Sequence, residues 1–189
     1  MRSTFCVFTV LALVACHARP HTSSTAAPAI HLADCRGPAK SLPDSLARQL
    51  PPRTGRMQPD DRWADLALTV PGGFGGVFYD SAHTPILQLV RPELADSAKA
   101  VLAETLRFPV DRAVVRPARW DFAQLVDWFN YLYPRLPGVS LGDKDEALNR
   151  ILFAASSPTA REHLIHALKA MDLPCDLVVV DPRNVRISY

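Results

Sequence analysis

The 189-residue sequence lacks an apolar run long enough to cross a bilayer as a helix. Its longest, Phe5 to Val14, spans 10 residues, where about 20 are needed. It lacks a charge imbalance too, with 21 Lys and Arg against 19 Asp and Glu, so nothing steers it electrostatically toward nucleic acid or acidic lipid. Local catalytic signatures are missing at the places that invite them. Glu162, His163 and His166 lie close together on a predicted helix but do not spell the HExxH of a zinc protease. Ser156 and Ser157 precede a helix without a G-x-S-x-G around them, and Pro158 makes Ser157 read as a cap. Asp143-Lys144-Asp145-Glu146 lacks the glycine and closing glutamate of a calcium loop, and reads as a polar turn. The cluster Gly72-Gly73-Phe74-Gly75-Gly76 follows a helix and opens a strand, the reverse of a phosphate loop; it predicts a helix stop and a bulged or close-packed strand start.

What is present at the N-terminus is Arg2, the apolar run, then Leu13-Val14-Ala15-Cys16, the layout of an export signal. Those four residues resemble the lipobox of bacterial lipoproteins, which implies cleavage before Cys16 and a lipid on its sulfur. Ordinary secretory cleavage near Ala18 is the alternative. His17 stands where an aspartate favours inner-membrane retention, so the resemblance implies an outer-membrane lipoprotein facing the periplasm. Without Arg2 the net charge falls to +1, with 20 basic and 19 acidic residues.

From His17 to Pro59 the chain holds seven of its 17 prolines and no Phe, Trp or Tyr. Such a stretch buries too little apolar surface to offset its ordering entropy, so residues 16–59 are expected to be a disordered tether, with one helical turn at most around Leu42, Leu46 and Leu50. Cys6 leaves with the signal (residues 1–15) and Cys16 takes lipid, leaving Cys35 and Cys175. In an oxidising compartment the two are a candidate disulfide; the other reading makes Cys175 a small core residue, since Val110 is its counterpart in the repeat described next.

Residues 60–189 contain all three tryptophans and six of the eight phenylalanines, enough for a real core. Gly76-Val77-Phe78-Tyr79-Asp80, Ile86 to Val90, a helix after Pro92 and the run Pro109 to Pro117 find a counterpart in Gly138 to Asp143, Ile151 to Ala155, a helix after Pro158 and Pro174 to Pro182. From Ile86 and Ile151 onward the offset stays at 65 or 66. A further helix precedes each hairpin, Asp61 to Thr69 and Asp121 to Tyr133. The expected class is α+β, a tandem duplication of a two-layer αββαβ unit with helices on one face of a three-stranded sheet, over 60–120 and 121–189.

Phe74-Gly75-Gly76-Val77-Phe78-Tyr79-Asp80 with Ile86 to Val90, and Val139-Ser140-Leu141-Gly142-Asp143 with Asn149 to Phe153, resemble strand patterns in the prodomains of alpha-lytic protease and streptogrisin-type secreted bacterial serine proteases. That resemblance implies an inhibitor or folding helper. Because no protease domain follows Tyr189 in this chain, such a role would act in trans.

The helix from Trp120 to Tyr133 is rich in aromatics. Phe122, Leu125, Phe129 and Leu132 fall on one stripe and predict core, while Trp128 and Tyr131 fall beside it and are candidate partner contacts, or else packing between the repeats. Glu162, His163 and His166 are weak metal candidates, with a solvated helix face as the plainer reading. The functional expectation is a non-catalytic envelope lipoprotein, without cofactor or nucleic-acid partner, held to the membrane through Cys16. It would bind an envelope protein or peptide through a free sheet edge or the aromatic helix. The competing expectations are the protease helper and, third, an enzyme with an unrecognised site.

Overall fold

The structure is a computed structural model that describes residues 39–50 and 59–184. The export signal, Cys16 and Cys35 lie outside the described residues. After a single helical turn, α1 (Asp44–Ala47), the chain forms α2 (Pro59–Thr69), the hairpin β1 (Phe74–Tyr79) and β2 (Pro85–Leu89), α3 (Ala95–Thr105) and β3 (Val114–Pro117). It then repeats that order with α4 (Phe122–Leu132), β4 (Val139–Asp145), β5 (Arg150–Ala155), α5 (Pro158–Ala170) and β6 (Val178–Asn184). The fold is α+β with two separate three-stranded sheets, ordered β1-β2-β3 and β4-β5-β6. In each the first pair is antiparallel and the second parallel, with Val77 opposite Leu87 and Ile86 beside Val114, then Gly142 opposite Phe153 and Ile151 beside Val178.

The helix ends follow from local chemistry. Asp121 and Gln124 form a reciprocal capping box at α4, each side chain bonding the other's backbone N–H, which satisfies two donors that a helix start leaves open. Ser157 caps α5 by accepting from the Ala160 N–H at 3.1 Å, with Pro158 at the first helical position, as its sequence predicts. Pro92 does not start α3 directly. It opens a 3₁₀ turn, Pro92–Leu94, and the α-helix begins at Ala95.

After α2, Gly72 and Gly73 take φ of +90° and +73°, left-handed positions that glycine occupies at little steric cost. A bulge between Phe74 and Gly76 then opens β1, and its counterpart opens β4 between Val139 and Leu141.

Two apolar cores result. The first joins α2, α3 and the inner face of the first sheet through Ala64, Leu66, Leu87, Leu89 and Leu102. The second joins α5 and the second sheet through Ile151, Phe153, Leu164 and Val180. Helix α4 serves both, turning Phe122, Ala123 and Val126 to the first core and Leu125, Trp128 and Leu132 to the second. That division is why so many of its residues are apolar.

Polar groups pin the units together. Asn149, in the β4–β5 turn at φ +54° and 5 % exposed, accepts from the Arg119 and Trp120 N–H groups at 2.8 Å each. Its amide nitrogen donates to the Trp120 carbonyl at 2.9 Å and the Gly75 carbonyl at 3.3 Å. Gly75 must be glycine, because a Cβ there would sit 2.6 Å from the Ala118 Cβ. Nearby, the buried Lys144 of β4 pairs with Asp60 of α2 at 2.6 Å and lies 3.8 Å from the centre of the Phe129 ring.

Residues 39–50 differ from the expectation of a tether. Leu42 is only 6 % exposed, and Ala39, Leu46, Ala47 and Leu50 pack against the second core. The period-four leucines of this strap give it an apolar side. The Trp128 indole N–H donates to the Lys40 carbonyl at 3.0 Å, and Gln124 donates to the Ser41 hydroxyl at 2.8 Å.

Candidate binding groove

Three of the residues singled out in the sequence, Trp128, Tyr131 and Cys175, are already engaged. Trp128 is 3 % exposed and covered by the strap, so it is not the free partner contact expected of it. Tyr131 is half-buried, edge-on to Trp128 and stacked under the Arg135 guanidinium at 4.1 Å, while Arg135 also reaches Gln49 of the strap at 3.2 Å. The physical reason is that the period-four leucines upstream bury their apolar side on the core to which this helix belongs.

Glu162, His163 and His166 are exposed on α5, away from its buried Leu164 and Leu168. Among the described residues no three His, Cys, Asp or Glu side chains come together to hold a metal. Cys175 is disulfide-bonded; the other half of that bond, like Cys35, lies outside the described residues.

The sequence Gly138-Val139-Ser140-Leu141-Gly142 does spell G-x-S-x-G. It runs along β4 rather than through a strand-to-helix elbow, and the Ser140 hydroxyl donates to the Ala154 carbonyl at 3.1 Å. The geometry of a nucleophile is absent there.

The acidic stretch is not the turn expected of it: Asp143, Lys144 and Asp145 finish β4, and only Glu146 falls in the turn, where it meets the first unit. Glu146 packs over Gly76, whose absent Cβ would lie 3.0 Å from the Glu146 Cγ. Burial pushes its carboxyl above the ordinary range, its own backbone N–H pulls it down, and the charges of Asp143, Asp145 and Asp60 push it further up.

Two of the surfaces open among the described residues bear on partner binding. The outer edge of β3 pairs with no described strand, and Val114 there is 49 % exposed. It is four residues long and carries Arg116, tied to Asp80 at 3.3 Å, and Pro117, the features by which edges resist added strands.

The other surface is a groove of about 820 Å³ between α2 and the end of α3, lined by Arg62, Trp63, Asp65, Leu66 and Thr69 on one side and Thr105, Leu106 and Arg107 on the other. Its size lies within the range of ligand sites. Trp63 is held in place by edge and tilted contacts with Phe74 at 5.7 Å and Phe122 at 5.2 Å. The Thr69 and Thr105 hydroxyls donate back to the Leu66 and Val101 carbonyls, leaving their oxygens as acceptors. Asp65 already has a partner. Arg62 and Arg107 are exposed and have no ion-pair partner among the described residues. The groove therefore combines an apolar floor with two available guanidinium groups, a chemistry that takes an apolar group next to a carboxylate. The sequence hid it because it forms only when α2 and α3 lie side by side.

Comparison of the chain with protein-family models, with curated proteins and with solved structures finds no match. Among the described residues no helix is long and apolar enough to cross a membrane.

Proposed function

We propose that this chain is a non-catalytic lipoprotein of the bacterial cell envelope, anchored through Cys16, whose folded part binds a protein or peptide segment. In this reading the two halves are copies of one αββαβ unit. Support comes from the identical sheet orders, the matching bulges and the equal 11-residue lengths of α2 and α4. The binding reading rests on the groove at Trp63, where a fixed indole sits beside two exposed arginines that have no ion-pair partner among the described residues. A rigid aromatic beside guanidinium groups is the composition that concentrates binding energy at interfaces.

The test is selection of a displayed random-peptide library on the mature chain. Enriched sequences whose binding shifts the Trp63 fluorescence support the proposal. A selection that enriches nothing over the bare support contradicts it. Potent inhibition of a separate secreted serine protease by the purified chain would replace it with the protease-helper reading.

A further inference from the structure

The second unit shows how a groove of this kind is filled. Helices α2 and α4 correspond at an offset of 62 residues, where Ala64, Leu66 and Val70 are buried like Val126, Trp128 and Leu132. In that register Arg62, Leu66 and Thr69, which line the groove, correspond to Gln124, Trp128 and Tyr131, the residues of α4 that meet the strap directly or through Arg135. The residue after α3 is Leu106, and the one after α5 is Met171; each donates its backbone N–H four or three residues back into its helix. Thus the positions that line the open groove of the first unit are, in the second, members or neighbours of the core on which the strap packs.

Thr69 in the groove corresponds to Tyr131, which is half-buried against the second core and linked to the strap through Arg135 and Gln49. Among the described residues only the second unit carries a strap. The chemistry differs: where the second unit offers the Gln124 amide to its strap, the first offers Arg62, and where the second has Asp172 after its helix, the first has Arg107.

We infer that the α2–α3 groove receives a short amphipathic acidic peptide segment of a partner protein, seated as the strap is seated on α4. One side of the segment, apolar at every fourth residue as in Leu42, Leu46 and Leu50, lies on Trp63, Leu66 and Leu106, and its carboxylates pair with Arg62 and Arg107. This rests on the binding function proposed above and adds to it the class of ligand and its mode.

The probe is a fluorescein-labelled twelve-residue peptide with leucine at its fourth, eighth and twelfth positions and glutamate between them, beside an otherwise identical lysine version, titrated into the full chain. The glutamate peptide binds the wild type about tenfold or more tightly than the lysine peptide, as two ion pairs gained rather than two repulsions suffered require. The exposed double reversal Arg62→Glu with Arg107→Glu inverts that preference. Equal affinity for both peptides, no response to the reversal, or no binding of either overturns the inference. So does displacement of the strap, seen as a change at the Trp128 indole. Library-selected peptides that bind regardless of the reversal leave the binding function standing while removing this site and mode.

Discussion

Substituting Asn149 separates two contributions that the fold combines in one residue. Its amide satisfies two backbone N–H groups at 2.8 Å and one carbonyl at 2.9 Å, with a longer bond to Gly75, and its backbone sits at φ +54°. Asn149→Gly keeps that φ without strain but empties the amide's place. Each buried group left unmet costs about 1–3 kcal/mol, and water entering the space recovers part of it. For the three close bonds the net loss is about 3 kcal/mol. Asn149→Ala loses the same amide and, unlike glycine, keeps a Cβ at positive φ, where it has lost the polar side chain that makes this conformation tolerable; alanine is therefore about 1–2 kcal/mol worse than glycine.

Urea unfolding followed by tryptophan fluorescence reads the result, because Trp120 is fully buried beside the pin and Trp128 lies in the second core. The expected order of stability is wild type, then glycine, then alanine. If both variants unfold within about 1 kcal/mol of wild type, or alanine is no worse than glycine, then the amide does not hold the units together as argued.

Gly75→Ala forces its new Cβ to within 2.6 Å of the Ala118 Cβ; the overpacking is expected to cost about 1–3 kcal/mol in the same assay. Glu146 has its pKa raised, mainly by burial, so its ionised form opposes folding at neutral pH. That penalty is relieved as pH falls through the folded pKa and is gone below the unfolded one. Glu146→Gln should therefore stabilise the protein at pH 7, with the gain vanishing toward pH 4 in unfolding curves taken across that range. Leu42→Ala removes the buried leucine of the strap, a loss of about 2–4 kcal/mol felt chiefly as local opening. Trypsin should then cut after Lys40 and Arg48 on the order of thirtyfold faster, while the global unfolding midpoint moves little.

The parts of the fold readable from the sequence are those set by neighbours in the chain. Gly72 to Gly76 announced a helix stop and a bulge because left-handed φ and close approach leave few other residues usable. Ser157-Pro158 announced a helix start, and the strand patterns around Val77 and Ile151 located both hairpins. What stayed hidden depends on contacts between distant segments. Asn149 looks like any turn residue, and its importance comes from Gly75, Arg119 and Trp120 arriving around it. Leu42, Leu46 and Leu50 showed their spacing, but proline content and missing aromatics pointed to a tether; the surface they bury on belongs to α4, over 70 residues away in the sequence. Trp128 was legible as aromatic surplus and not as the floor beneath that strap. Trp63 drew no notice because a single tryptophan on a short helix gives no pattern until α3 forms the other wall.

The three indole N–H resonances offer the most direct measurement, since Trp63 lies in the open groove, Trp120 at the junction of the units and Trp128 beneath the strap. Titration of ¹⁵N-labelled protein with the glutamate peptide should shift the Trp63 resonance and the Arg62 and Arg107 side-chain signals while leaving Trp128 in place. Shifts confined to Trp128 or to the amides of β3, or no shift at saturating peptide, would contradict the account.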